Sequence, residues 1–313
     1  MNIVNLVVRQ GILWIVATIL FLTLLFLPRT TVYTEGRGGS FESARYEYSL
    51  KNHVQQFKDF YTYIKVNKGL GEVMDGHSAT VHVVRTFTKS MKIALPALAI
   101  GLFAGIAKGV FDYRFRNKKT RFLGEPTTRV FLSVPDLFLI IMIQIAIMTA
   151  YEWGIMPYMK VYGSDSMSVL VLNIVFLSIY PIFYIANITY SSIRDEQGRD
   201  YIVTAFSKGT PSLKVLYSHV LKNCYPKILS HTNTITLYTL SNLFIVEYLT
   251  NYRGAALFFY ETVASPAMIG IGQQNPINLF GAAGYIILFT GVIFLAKLAA
   301  GIGKNMVSPL ERS

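Results

Sequence analysis

From Ser166 to Ile193 the chain runs 28 residues without a charged side chain. As a helix this run would rise about 42 Å, more than the ~30 Å hydrocarbon core of a bilayer. In water it would need covering on every face, and the rest of the chain cannot cover it. Of 313 residues, 15% are charged and 52% apolar, with a mean hydropathy of +0.42. An average soluble domain carries about 25% charge. These figures exclude a soluble enzyme, a disordered protein and a secreted disulfide scaffold. Cys224 is the sole cysteine, so the chain forms no internal disulfide.

Six segments are long and apolar enough to cross a membrane: 9–28, 91–110, 130–151, 167–190, 228–249 and 280–300. The expected fold is all-α, a polytopic bundle of six transmembrane helices. The first apolar run, Gly11 to Leu27, lacks a small-x-small cleavage pattern and reads as a retained span. Val134-Pro135-Asp136 opens the third span. Between the fifth and sixth, Leu257 to Leu279 carries one charge, Glu261, and reads as a re-entrant or interfacial helix.

Basic residues in short loops set the orientation. Loop 111–129 holds Arg114, Arg116, Lys118, Lys119, Arg121 and Arg129, and loop 191–227 holds Arg194, Arg199, Lys208, Lys214, Lys222 and Lys227. The alternate loops are poorer, with Lys160 in 152–166 and Arg253 in 250–279. Both basic loops and both termini therefore belong in the cytoplasm. The formal net charge of +12 is read as these loops meeting anionic lipid headgroups rather than as nucleic-acid binding. The chain then divides into a first transmembrane helix (1–28), an external segment (29–90), a five-helix core (91–300) with a cytoplasmic elbow at 195–227, and a cytoplasmic tail (301–313). The tyrosine-rich external segment is long enough for a small subdomain or several short helices.

No catalytic motif is visible. HExxH and GxSxG are absent, and Gly301-Ile302-Gly303-Lys304 is followed by Asn305 and preceded by no strand, so it is not a phosphate-binding loop. The five histidines (His53, His77, His82, His219 and His231) show no metal-ligand spacing. Ionisable residues within spans are few: Asp136 at the inner start of the third, Glu247 at the outer end of the fifth, and Lys297 near the inner end of the sixth. Each is placed near an interface, where solvation is cheap. Glu247 is a candidate gate or pathway contact, or a carboxylate paired at a helix end. Gly101, Gly105 and Gly109 share one face of the second span and mark a close helix–helix approach.

The most informative stretch is 195–230. A helix over 198–208 is broken at Gly209, Thr210 suits an N-cap, and Pro211 suits the first helical position. A second helix over 211–223 places Leu213, Leu216, Tyr217 and Val220 on one side, and Pro226 ends it. Such a basic amphipathic elbow can dock in a partner's groove or lie on the lipid surface.

This stretch resembles the cytoplasmic loop of ABC importer permeases, with its EAA...G signature. Gly209 falls on the signature glycine and Ala205 on the second alanine, while Val203 and Thr204 precede it and the acidic residue and first alanine are missing. The peptide-transporting branch has a pattern matched by Asp200, Tyr201, Thr204, Ala205, Lys208, Gly209, His219, Leu221, Lys222, Asn223 and Pro226. Gly69-Leu70-Gly71, Ser133-Val134-Pro135 and Glu247 add weaker echoes, and the long external segment is similar to that of the first, B-type, subunit. Asn251-Tyr252-Arg253-Gly254 and the tail Ser308-Pro309-Leu310-Glu311-Arg312 depart from that pattern.

The resemblance implies a type I ABC importer permease fold and a peptide path shared with a second permease subunit. It further implies an extracellular solute-binding protein that delivers cargo, and two ATPase subunits that hold ATP and Mg. No cofactor is implied on this chain. The coupling residues would be Ala205, Lys208, Gly209, Thr210, Pro211, Leu213, His219 and Asn223. Closely similar permeases carry nickel or metallophore chelates, which the sequence does not separate from peptides. An ATP-independent secondary carrier is the more distant alternative.

Overall fold

The computed structural model describes residues 3–27, 31–35, 41–71, 78–116, 122–264 and 279–307. Its helices are α1 (Ile3–Leu25), α2 (Leu50–Asn67), α3 (Ala79–Phe115), α4 (Glu125–Ser133), α5 (Asp136–Glu152), α6 (Met167–Asp195), α7 (Asp200–Ser207), α8 (Ser212–Val215), α9 (Leu221–Ser230), α10 (Thr232–Thr250), α11 (Ala255–Ala264) and α12 (Leu279–Val307). Strands β1 (Thr31–Glu35) and β2 (Phe41–Tyr46) pair antiparallel, with an irregularity at Thr34/Glu35. The chain forms two compact units. One comprises Met1–Gly11, Met91–Arg253 and Val292–Ser313, the other Ile12–Ser90 and Gly254–Gly291.

A helix lies at each of the six expected places. Among the described residues, Val4–Leu25, Ala79–Phe115, Met167–Asp195 and Leu279–Asn305 are long and apolar enough to cross a membrane, with mean hydropathies of 2.0, 1.9, 2.3 and 2.2. The third expected span is not continuous: α4 and α5 are bent by 101° at Val134-Pro135, as one broken span or a re-entrant pair. Pro135 has no N–H to continue a helix, and it disfavours helical geometry at Val134, whose φ and ψ are −88° and 130°. The fifth place is filled by the 19-residue α10, which five threonines, two asparagines and Glu247 leave short of the apolarity of those four.

In the larger unit, the three glycines of α3 meet α6. A Cβ added at Gly105 would stand 2.7 Å from Ile185 Cβ and 2.8 Å from the Ile182 carbonyl oxygen. At Gly109 it would stand 2.5 Å from the Ala186 carbonyl oxygen and 2.6 Å from Thr189 Cβ, and at Gly101 it would collide with Pro181. Missing side chains at four-residue spacing thus let two backbones approach over about two turns. On α4, Phe131 stacks on Phe183 of α6 at 4.3 Å. Where α3 meets the α4 turn, Asp112 is 1% exposed and pairs with Lys108. It also accepts from Thr128 Oγ1 at 2.6 Å, while Lys108 Nζ donates to the Leu123 and Gly124 carbonyls at 3.3 and 3.2 Å.

The smaller unit contains part of the expected external segment. Helix α2 starts at Ser49, whose hydroxyl accepts from the Asn52 N–H, and ends at Lys68 with φ 50°. Its aromatic face packs Phe57 and Phe60 against Phe26, each with centroids 5.0 Å apart, and Phe280 stacks on Tyr63 at 4.3 Å. Buried His53 reaches the Tyr48 hydroxyl at 3.1 Å and the Thr23 carbonyl at 3.0 Å. Helix α3 begins at Ala79 rather than at 91, and Tyr285 bonds Thr86 of its first turns at 2.8 Å. His77, Lys118, Lys119, Arg121, the second half of the Leu257–Leu279 stretch and the tail 308–313 lie outside the described residues.

Candidate coupling elbow

The elbow is a folded corner with its own core. Ala205, Val215, Leu216, Val220, Leu221, Cys224 and Ile228 are buried together with Val110 of α3 and Ile185 and Ile193 of α6. The corner is therefore fastened to the two helices that the glycine seam already joins.

Between α7 and α8 the chain turns at Gly209, where φ is +73°. The Gly209 N–H donates to the Phe206 carbonyl at 2.9 Å, and the Thr210 N–H to the Ala205 carbonyl at 3.2 Å. These are the two bonds of a Schellman cap, which closes a helix only where the residue after its last turn is left-handed. Glycine takes that geometry without a Cβ penalty. Ala205 is buried beneath the turn, whereas Lys208, Gly209, Pro211, Leu213, His219 and Asn223 are exposed and Thr210 is half-buried.

Three local expectations are corrected here. Pro211, not Thr210, occupies the N-cap of α8, with φ −63° and ψ 144°; proline's fixed φ fits that extended position as well as the first helical one. Pro226 does not end the helix but lies inside α9, which runs on to Ser230. The apolar side of the second helix is Val215, Leu216, Val220, Leu221 and Cys224, not Leu213, Leu216, Tyr217 and Val220. Its cause is a π-helical turn at Leu216–Val220, where the Leu221 N–H donates to the Leu216 carbonyl. The wider turn rotates the buried face by one residue. Leu213 and Tyr217 are left 48% and 49% exposed, beside Phe206 at 50% and Val203 at 57%.

Polar contacts brace the base. Lys227 Nζ pairs with Asp195 Oδ2 at 2.7 Å. The Tyr201 hydroxyl donates to Glu196 Oε2 at 2.6 Å. Burial, and then the bond to this carboxylate, push the Tyr201 phenol up to about 12. Burial likewise pushes the Cys224 thiol up to about 12. Between α7 and the π-turn a cleft of about 620 Å³ opens, walled by Tyr113, Gln197, Ile202, Phe206 and Val215. The elbow holds no paired nucleophile and base; it presents an apolar knob on a braced support.

The other candidate residues lie elsewhere. Glu247 is not near solvent, as its sequence position implies, but 0% exposed; just beyond it left-handed Asn251 turns the chain, and the Tyr252 N–H donates to the Glu247 carbonyl at 2.9 Å. Tyr252 is itself 3% exposed. Burial, and then the Glu247 charge, raise the Tyr252 phenol above its ordinary value. Asp112 and Thr128 were not singled out by sequence. The available signal was the spacing of Lys108 and Asp112, one helical turn apart.

Residues 97–303 match the family of binding-protein-dependent transport system inner membrane components. The chain belongs to that family. This ABC importer permease subunit is a multi-pass membrane protein. It is 22% identical over 224 residues to the dipeptide transport system permease protein DppB of Bacillus subtilis (strain 168), covering 70% of this chain and 67% of that protein. It is 25% identical over 182 residues to a putative peptide transport system permease protein of Brucella suis biovar 1 (strain 1330), covering 56% of each. A chain of the MetNI methionine ABC transporter, solved in inward-facing conformations, aligns with a TM-score of 0.55 at 16% identity, covering 72% of the permease and 96% of that chain. That likeness shows the fold: a type I importer permease bundle.

Proposed function

We propose that this permease subunit carries peptides through a path shared with a second permease subunit, and that its elbow at 195–227 transmits work from an ATPase partner. The carrying observation is the knob. Phe206, Leu213, Tyr217 and Val203 are exposed around a capped glycine turn, on a base buried against α3 and α6. Exposed apolar groups on a stiff support suit a groove in a protein partner. A push on the knob passes into α3 and α6 together, because their backbones touch along the glycine seam. ATP and Mg reside on the ATPase partners in this reading, and an extracellular binding protein delivers the cargo. The elbow and both termini face the cytoplasm, following the basic loops.

Peptide cargo is supported by the names of the low-identity relatives and by the Asp200–Pro226 pattern. The test is purification in mild detergent followed by identification of co-purifying chains, and uptake of labelled peptide in vesicles with and without ATP. An ATPase pair and ATP-dependent uptake are expected. Uptake that persists without ATP would replace this reading with a secondary carrier.

A further inference from the structure

The 101° break between α4 and α5 carries Asp136 to a depth that its sequence position hides. Asp136 is the first residue of α5. Its Oδ2 accepts from Asn242 Nδ2 at 2.5 Å. Asn242 lies in α10 (Thr232–Thr250), ten residues from one end and eight from the other. At 1.5 Å per residue this is about 15 and 12 Å from the ends of the helix. Asp136 is also within electrostatic reach of Tyr180, which sits 13 residues from the start of α6 (Met167–Asp195) and 15 from its end. Both neighbours put the carboxylate at mid-depth, not at an interface.

The surroundings are polar and open. Asp136, Tyr180, Tyr238 and Asn242 are all partly exposed. Tyr180 stacks on Tyr238 with centroids 3.4 Å apart, and the Tyr184 hydroxyl continues the strip to His231 Nδ1 at 2.9 Å. Hydrocarbon is a costly neighbour for such a strip, which belongs on a wet path or against protein. Discontinuous helices near the midplane are where many transporters place their cargo contacts, and α5 begins at such a break with this carboxylate. The ion pairs of Lys108 with Asp112, Arg129 with Glu125, Arg199 with Glu196 and Lys227 with Asp195 all leave Asp136 out, and its carboxylate meets no basic side chain among the described residues.

We propose that Asp136, with Asn242 orienting it and the Tyr180–Tyr238 stack beside it, is a midway contact for an ammonium group of the cargo. Asn242 occupies one carboxylate oxygen and leaves the other to accept from the cation, while the tyrosine faces add cation–π attraction. The inference rests on the peptide reading above. The ammonium belongs either to the peptide N-terminus or to a lysine side chain, and the chemistry of the contact is the same.

The test uses the purified transporter complex in proteoliposomes, with its binding protein held constant. Uptake is measured for Ala-Ala-Ala, N-acetyl-Ala-Ala-Ala and N-acetyl-Ala-Lys-Ala, in wild type, Asp136→Asn and Asp136→Glu. Asp136→Asn is expected to slow the cationic peptides about tenfold, as for one lost charge-assisted hydrogen bond, while N-acetyl-Ala-Ala-Ala keeps its rate. Asp136→Glu restores most of the loss. A deficit confined to Ala-Ala-Ala assigns the N-terminal amine, and one confined to the lysine peptide assigns the side chain. If wild type moves the peptides and Asp136→Asn treats all three alike, this inference fails alone. If Asp136→Asn sheds the second permease subunit on purification, the carboxylate pairs across a subunit interface and the inference fails. If wild type moves none of the three, the peptide reading fails and takes this one with it.

Discussion

The Thr210 N–H donates to the Ala205 carbonyl at 3.2 Å, and this bond forms because Gly209 between them holds φ +73°. A Cβ at Gly209 would meet nothing within 4 Å. Glycine is thus required there for backbone conformation and not for space within this chain. Gly209→Ala should cost about 1–2 kcal/mol of local stability through left-handed strain, with uptake reduced only modestly. Gly209→Arg adds bulk and charge to the exposed knob and is expected to abolish uptake. Immunoblots of membrane fractions, read beside transport rates, check that both variants insert. An Arg variant that transports at the normal rate would count against docking through this turn.

The glycine seam makes a prediction about space. At Gly109 an added Cβ meets the Ala186 carbonyl oxygen at 2.5 Å, and a carbonyl on a packed helix cannot swing aside. At Gly291 nothing lies within 4 Å. Gly109→Ala should therefore destabilise the detergent-solubilised protein by about 1–3 kcal/mol, the usual cost of overpacking. Gly291→Ala should be neutral or slightly stabilising, since it only restricts the unfolded chain. Thermal unfolding followed by size-exclusion chromatography separates the two.

Asp112 is a buried carboxylate held by Lys108 and Thr128. Removing its carboxylate leaves Lys108, 21% exposed, with the carbonyls of Leu123 and Gly124, the Thr128 hydroxyl and the Phe111 ring, none of them charged. Asp112→Ala should cost about 2–3 kcal/mol, below the full penalty for breaking a buried pair because Lys108 still reaches water. The double variant Lys108→Met/Asp112→Leu should recover part of the loss. Unfolding midpoints of the singles and the double, combined in a cycle, test the coupling.

Helix existence was legible wherever composition alone decides it. The uncharged run of α6 and the four-residue glycine repeat of α3 each specify a face or a depth without tertiary information. The elbow glycine was legible because a left-handed C-terminal residue is a local requirement. What was hidden depends on geometry between elements. Asp136 looked interfacial because it begins a segment, yet the break at Val134-Pro135 starts that segment beside Asn242, in the middle of α10. A 3.6-residue period put Leu213 and Tyr217 on one side with Leu216 and Val220, and one π-turn parts them, burying the second pair and leaving the first exposed. Glu247 looked solvated because it lies one turn from a helix end, yet tertiary packing leaves it 0% exposed. The β1–β2 hairpin carries too little alternating pattern to stand out within a polar segment.

Cys224 supplies a test of the elbow's integrity that needs no added probe. It is the sole cysteine, 2% exposed, with its thiol pushed from an ordinary 9.0 up to about 12 by burial. At pH 8 the thiolate share falls from about 10% to about 0.01%, so maleimide labelling should run roughly a thousandfold slower than for an exposed cysteine. Labelling should become fast only when the elbow opens. The raised value also fixes how stability depends on pH. The folded chain holds the neutral thiol, so its contribution is complete below pH 9, where the unfolded thiol is neutral as well. It declines as pH rises from 9 towards 12, because the unfolded state then releases its proton first. Tyr201, raised from 10.0 to about 12, adds a loss over pH 10 to 12. Unfolding midpoints should therefore hold steady up to pH 9 and drop above it, and Cys224→Ala should flatten the first part of that decline. With the native thiol silent at pH 8, Ser212→Cys on the exposed start of α8 becomes a single reporter. It should cross-link to an ATPase partner, and more strongly in the nucleotide state that grips the knob.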